Sequence, residues 1–436
     1  VARDQLIGPY QVPVSDYSMS LRSFTSNSGE VLTIGEKPTL AVNNPAASMR
    51  MSIAEALTNM SGVLIKGLDQ VQVSANWMAA TGEEVEDISL REGVEALSKS
   101  CVDLNISVPV GKDSLSMRTK WEDGAIERVV KSPLSGVITA MAPVADVRDA
   151  VTPELNTKIP SHLVHVKLNS HTRMSGSIFS EVTQTNFVNT PDIDDMDLLK
   201  VMFTSIQKLV SENKILSLHD VSDGGLITTL LEMAFTKKVG LEIKDQELTK
   251  ANLNNYFFSE ESGLVIQIAD SDIETIQDQL LSVGLSAKIV GSISDNKEIS
   301  VSNESENLFS ESVITLEKYW REASHAIQAI RDNQLIADSE LSLLDDEVYS
   351  GLFSKESFDE SVLESFNIMN SKPRVAVLRE QGVNGQMEMA AAFTLAGFEA
   401  VDVHMQDLLD SNVNLKDFNG LAACGGFSYG DVLGAG

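Results

Sequence analysis

The stretch Ile215-Leu216-Ser217-Leu218-His219-Asp220-Val221-Ser222-Asp223-Gly224-Gly225, followed by Leu226 to Ala234, is the most constraining feature of the sequence. A short apolar run stops at a polar loop with two Asp, one Ser and a Gly pair, and an apolar-periodic segment follows. This order reads as a strand delivering its last residues into a turn that opens a helix. Backbone N–H groups at such a helix start favour phosphate, and Asp oxygens suit a hard cation such as Mg²⁺. A plainer account is also open at this point: Asp223 caps the helix and the glycines only make the turn.

The chain of 436 residues has room for two or three domains. Its formal charge of −30 argues against nucleic acid as a partner, because nothing offsets phosphate repulsion. A small anionic substrate needs only a local positive or amide-lined pocket and is not excluded. The two cysteines, Cys101 and Cys424, form no disulfide framework and have no metal-ligand spacing, which suits a reducing compartment. No apolar run reaches membrane-spanning length and no signal-peptide pattern opens the chain, so a cytoplasmic location with no membrane partner is expected. A first residue Val1 and a loop-like end at Gly436 lead us to expect a piece of a longer protein.

Residues 1–150 read as mixed α and β. Glu30–Ile34 and Thr39–Val42 look like strands, and Asn44-Pro45 supplies a cap and a first-turn proline. From Ala46 to Met60, Met49, Ile53, Leu57 and Met60 recur at helical spacing. Glu55 and Asn59 share another face of that helix, as a pair of oxygen ligands or as an ordinary solvated pair. Gly111-Lys112-Asp113-Ser114 suggests a phosphate loop, but the first glycine of that pattern falls on Ile106, so residues 109–117 are expected to be a substrate-contacting loop or an exposed turn. Ser135–Met141 reads as a buried strand.

Over 158–308, strands are expected at Leu163–Leu168, Ile215–Leu218, Leu264–Ile268 and Ala287–Ile293, with helices at Met196–Glu212 and Ser271–Val283. His162, His165 and His171 fit no standard metal spacing. Residues 309–370 hold a helix at Thr315–Arg331 and then an acidic, Ser-rich linker that includes Glu356 to Glu364. From 371 a buried strand, an Ala-rich helix and further strands begin a doubly wound parallel sheet.

The last stretch, Ala423-Cys424-Gly425-Gly426-Phe427-Ser428-Tyr429-Gly430-Asp431-Val432-Leu433-Gly434-Ala435-Gly436, resembles the glycine loop of a Cys-His-Glu glutamine amidotransferase domain. It has the form found in the phosphoribosylformylglycinamidine synthase family. Arg379–Gly385, Val401–Met405, Gly8–Val14, Glu55–Asn59, Ser74–Met78, Pro109–Ser114 and His219–Gly225 fit the same family in order. The resemblance is to its large, single-chain form, over the second synthetase half and the start of the glutaminase domain.

The resemblance implies an α/β and α+β architecture. Aminoimidazole-ribonucleotide-synthetase-like N- and C-terminal domains are followed by an incomplete flavodoxin-like class I amidotransferase domain. It implies an ATP-dependent ligase that turns formylglycinamide ribonucleotide and glutamine into the amidine, with ADP and phosphate released. It implies metal ligands at Asp16, Glu55, Asn59 and Asp220 for Mg²⁺, with Ser15 and Ser222 beside an ATP or ADP held in an auxiliary, structural site. It implies too that the full-length enzyme is a monomer. Cys424 is not the expected nucleophile, because it lacks the G-x-C-x-G elbow; it is expected to be a buried strand-end residue, with no member of the triad in these residues. Gly425, Gly426 and Phe427 are expected to place backbone N–H groups near the thioester oxyanion. A non-catalytic nucleotide-binding module and another ATP-using member of the synthetase superfamily are the alternatives.

Overall fold

The computed structural model describes residues 2–23, 25–355, 357 and 372–427. Two compact units divide the chain, Val1–Phe353 and Ser354–Gly436.

In the first unit the chain begins with β1 (Ser18–Leu21), β2 (Gly29–Gly35), α1 (Pro38–Ala41), α2 (Pro45–Met60), β3 (Gln72–Met78) and α3 (Glu84–Leu104). It continues through β4 (Ser107–Ser114), β5 (Arg118–Asp123), β6 (Ile126–Lys131) and β7 (Ser135–Val144). Five of these strands form a sheet in the order β1-β2-β7-β3-β4, and β5 and β6 make a separate hairpin. The expected α2 forms for the expected reasons. Asn44 accepts the Ala47 N–H at 3.0 Å, Pro45 occupies the first turn, and Met49, Ile53, Leu57 and Met60 are fully buried.

The unit goes on with β8 (Ser161–Lys167), α4 (Ile178–Thr183), α5 (Met196–Ser211), β9 (Ser217–Val221), α6 (Gly225–Phe235), β10 (Gly240–Lys244) and α7 (Leu253–Phe258). Then come β11 (Gly263–Ala269), α8 (Ile273–Ser282), β12 (Ser286–Ser294), β13 (Glu298–Ser302), β14 (Asn307–Ser312), α9 (Val313–Arg331) and α10 (Gln334–Ser342). The seven-stranded sheet has the order β14-β13-β10-β12-β8-β11-β9, which puts β9 at an edge. One core joins α2 to this sheet: Met51 and Ile53 cluster with Phe203, Leu218 and Leu264. Each such side chain contributes roughly 1.5–3 kcal/mol of burial, so the face of α2 is fixed against β9. A second core packs α6 and α9 together through Leu230, Met233, Phe235 and Val313, with Trp320 against it.

Several local expectations need correction. Residues 39–41 belong to α1, not to a strand: Pro38 presets the first helical turn, and so short a stretch cannot show a period. Residues 109–114 are not a loop but part of β4, parallel to β3 with Asn76 opposite Lys112. Both faces of β4 are exposed, so no apolar alternation marks it. The β5–β6 hairpin was not anticipated, although Asp123-Gly124 carries the turn signal. Within the expected acidic linker, α10 is helical with Ala337 buried, and Leu344 after it is buried too. Of Glu356 to Glu364, only residue 357 is among the described residues.

The second unit holds β15 (Arg374–Arg379), α11 (Gln386–Leu395), β16 (Glu399–His404), α12 (Met405–Leu409) and β17 (Gly420–Ala423). The strands are parallel in the order β16-β15-β17, the doubly wound start that the sequence suggests. The described residues contain no helix long and apolar enough to cross a membrane.

Candidate functional site

All five residues of β9 are buried, and their pairing with β11 sets Asp220 opposite Leu264 and His219 opposite Val265. After Val221 the chain turns through Ser222 and Asp223 into Gly224 and Gly225, both at positive φ. A Cβ on Gly225 would lie 2.6 Å from the Phe257 carbonyl oxygen and 2.7 Å from that of Ser259, so only glycine fits here.

Asp223 does not cap α6: the cap position is Gly224, without a side-chain bond. The Gly224 N–H is not free for phosphate either, since it donates to Glu260 Oε1 at 2.9 Å. Glu260 also accepts the Ile178 N–H at 2.9 Å, and its Oε2 is buried without a partner among the described residues. Burial, and then the charge of Asp223, push the Glu260 carboxyl up to about 7.

Two groups of side chains meet at this loop. In the first, His219 Nδ1 lies 2.5 Å from Asp16 Oδ1 and Nε2 lies 2.9 Å from Glu232 Oε2. Trp320 Nε1 on α9 donates to the other Glu232 oxygen at 2.9 Å. Burial opposes charge on His219, but the carboxylates of Asp16 and Glu232 overcome it and hold the imidazole well above its ordinary value. Each ring nitrogen thus faces a carboxylate oxygen. Asp220 Oδ1 is 3.7 Å from the same Nδ1. Burial raises both Asp16 and Asp220 above the usual carboxylate range, and Asp220 is raised further by the charge of Asp16. Asp16 Oδ2 has no partner among the described residues.

The second group is organised by Lys37. Its side chain is 2% exposed, and Nζ lies 2.9 Å from Glu55 Oε1, 2.7 Å from Ser222 Oγ and 2.6 Å from Asp223 Oδ1. The Ser222 hydroxyl donates to Glu55 Oε1, and Glu55 Oε2 accepts the Glu36 N–H at 2.6 Å. Burial works against the ammonium, but Glu55 and Asp223 hold it above its ordinary value.

Of the residues that the sequence nominates, Asp16 and Asp220 come together, and Glu55 and Ser222 come together. Asn59 donates its Nδ2 to the Ile34 carbonyl at 2.9 Å, which leaves its own carbonyl oxygen as the end able to act as a ligand. Ser15 donates its N–H to the Gln5 carbonyl and its hydroxyl to the Tyr17 carbonyl. Ligand atoms of Asp16, His219 and Asp220 all lie within 4.8 Å of one another. Both His219 nitrogens are already engaged by carboxylates, Asp16 on one side and Glu232 on the other, so it is placed to orient Asp16. Two buried, incompletely compensated carboxylates with an orphaned oxygen fit a hard divalent cation. Lys37, Glu232 and Glu260 are the residues that sequence reasoning missed; Glu232 lies on the helix that the loop opens, whereas Lys37 and Glu260 are distant from the loop in sequence.

In the second unit, Cys424 follows β17 and is half-buried, not buried as expected. The Phe427 N–H donates to the Gly382 carbonyl at 2.9 Å. Gly426 lies against the 382–384 turn, where a Cβ would meet Val383 Cα at 2.7 Å. The N–H groups of Gly425 and Gly426 have no partner among the described residues. Residues 428–436 of the glycine loop lie outside the described residues.

Three family models match the chain in order: an FGAR-AT PurM_N-like domain over residues 1–143, an AIR synthase related protein C-terminal domain over 162–303, and a CobB/CobQ-like glutamine amidotransferase domain over 372–436. Among solved structures, Thermotoga maritima PurL complexed with FGAR aligns with a TM-score of 0.55 at 10% identity, over 72% of this chain and 48% of that one. The same organism's PurL complexed with ATP aligns at 0.52 and 9% identity, over 71% and 47%. Its phosphoribosylformylglycinamidine synthase II aligns at 0.51 and 9%, also over 71% and 47%. The chain thus spans about half the length of the solved structures it matches. Fold and family models together define a PurM-like two-domain unit followed by an amidotransferase-type domain. The chain belongs to the phosphoribosylformylglycinamidine synthase family.

Proposed function

We propose that these residues form the second synthetase half and the start of the glutaminase domain of an ATP-dependent ligase. The whole enzyme would convert formylglycinamide ribonucleotide, glutamine and ATP to the amidine, glutamate, ADP and phosphate. Within it, Asp16, Glu55, Asn59 and Asp220 hold Mg²⁺, and Ser15 and Ser222 flank the nucleotide, in an auxiliary site that stabilises this half without turning over substrate. The observation that carries this reading is the buried meeting of Asp16 and Asp220 across His219 beside the Lys37–Glu55–Ser222 group. The cation, when bound, supplies positive charge to nucleotide phosphates. Asp16 is held in place by His219, Asp220 by its strand, and Glu55 by the Glu36 amide. Lys37 is already beside Ser222 to meet an anionic group.

The Gly425–Phe427 segment is proposed to serve an oxyanion through its glycine amides, with a nucleophile outside these 436 residues. Isolated, the chain is then expected to hydrolyse no glutamine and to make no amidine.

The test is nucleotide binding by calorimetry, with melting curves taken in Mg²⁺ and ADP. Ligand that binds only the folded form raises stability by about 2.7 kcal/mol at one hundred times its dissociation constant. Asp220→Asn should abolish the Mg²⁺-dependent part. If Asp220→Asn and Glu55→Gln both bind Mg²⁺–ADP like the parent chain, the auxiliary-site reading is wrong.

A further inference from the structure

A cavity of about 200 Å³ lies away from the candidate site, between α9, α10 and the turn at Tyr10. Lys238, Glu317, Arg321, Ala337 and Tyr349 line it together with Tyr10. A single water needs only about 10–15 Å³ on the same measure, so the space is far larger than one bridging water requires. Two charged side chains on its wall are buried and unfinished. Glu317 has no exposed surface; Oε1 accepts from Arg321 Nε at 2.9 Å and Nη2 at 2.7 Å, while Oε2 is buried without a partner among the described residues. Lys238 is 8% exposed, and its side chain has no hydrogen bond or ion pair among the described residues. Its ammonium stands 4.4 Å from the Tyr10 ring centroid and 5.8 Å from that of Tyr349.

Lys238 and Glu317 do not pair with each other, although a direct ion pair would be the simplest way to complete both. Burial is the leading influence on each and disfavours its charged form: the Glu317 carboxyl is raised and the Lys238 ammonium lowered. An anion alone would satisfy Lys238 and add negative charge beside Glu317. A cation alone would do the reverse. A molecule with a positive and a negative pole would complete both walls at once. A second cavity of about 330 Å³ shares Tyr10, Lys238, Leu344 and Tyr349 and adds Lys297, which leaves space beyond Lys238.

We propose that this cavity binds a small zwitterion, a free α-amino acid, whose ammonium donates to Glu317 Oε2 and whose carboxylate accepts from Lys238. The site is independent of the nucleotide reading above, since none of its residues belongs to that group.

The experiment is calorimetry and thermal melting of the 436-residue chain at fixed ionic strength, with glycine, alanine and glutamine as probes. Acetate and ethylamine serve as single-pole controls. At least one amino acid should bind saturably, with a dissociation constant on the order of a millimolar or tighter, and the single-pole compounds should not. Lys238→Met and Glu317→Gln should each weaken that binding by about tenfold or more, with Mg²⁺–ADP binding unchanged as the control for folding. Ala337→Leu fills the cavity and leaves both charges in place, so it should abolish binding even if a charge variant fails to fold. No saturable binding of any amino acid, meaning a cavity that holds water only, overturns the proposal. So does equal binding of acetate or ethylamine, or amino-acid binding that survives both Lys238→Met and Ala337→Leu.

Discussion

The two halves of the His219–Asp223 loop solve the same electrostatic problem in opposite ways. On the Lys37 side, Glu55 and Asp223 have a resident cation, an ammonium 2% exposed and held by three oxygens. On the Asp16 side, two carboxyl groups share one imidazole that is also committed to Glu232, and one Asp16 oxygen has no partner among the described residues. The first side is complete as it stands; the second is missing positive charge. The difference locates where an added cation would do most, next to Asp16 and Asp220. It also explains why Glu55 can serve a metal only if its hold on Lys37 is loosened or shared.

The strongest way to break this comparison is to remove the resident cation. Lys37→Met should cost about 3–5 kcal/mol by chemical denaturation, the usual range when one partner of a buried ion pair is deleted. It leaves Glu55 and Ser222 facing each other with no cation. Mg²⁺ without nucleotide should then recover part of the loss, because the two sides of the loop would have become alike. If Lys37→Met costs less than about 1 kcal/mol, a range typical of exposed pairs, the Lys37 side was not the compensated one.

A smaller effect separates the two sides by pH. The Glu260 carboxyl, beside Asp223 and the Gly224 amide, sits near 7 in the folded chain, above the ordinary carboxylate value. A group whose folded value is raised contributes stability at low pH and loses it as pH rises through that value. The ligand-free chain should therefore lose roughly 1 kcal/mol from this group between about pH 6 and about pH 8. Glu260→Gln should remove that share and leave the contribution of the raised Asp16, Asp220 and His219, which has the same sign. An unchanged slope in Glu260→Gln would place the titration on the Asp16 side alone.

How much of this was legible in the sequence follows from where each signal resides. The strand-turn-helix unit could be read because β9 is apolar, Gly224-Gly225 punctuates it, and α6 has its own period. The face of α2 could be read from four apolar residues at helical spacing, all fully buried. The exposed strands β4, β5 and β6 could not, since their residues are exposed on both faces and give no alternation. The partners at the site were hidden for another reason. Lys37 meets Ser222 across 185 positions and Asp223 across 186, and such contacts come from the packing of α2 on β9, not from local pattern. The resemblance nominated oxygen ligands but not the lysine that occupies part of their charge.

Asn59 provides the mildest test, and it asks how far the charge-poor side extends along α2. Its amide nitrogen is tied to the Ile34 carbonyl at 2.9 Å, one turn beyond Glu55, and no acidic side chain among the described residues is bonded to it. Asn59→Ala removes one partly exposed neutral hydrogen bond, so the ligand-free chain should lose no more than about 0.5–1.5 kcal/mol. If the Asn59 oxygen belongs to the cation site, the same variant should weaken Mg²⁺ binding severalfold while leaving the Lys37 group intact. Asn59→Asp then distinguishes ligand from strut. Added charge should tighten Mg²⁺ while destabilising the ligand-free chain, because it extends the uncompensated side. A variant that changes stability but not Mg²⁺ affinity would confine the cation to Asp16 and Asp220 and leave Asn59 as a brace between α2 and β2.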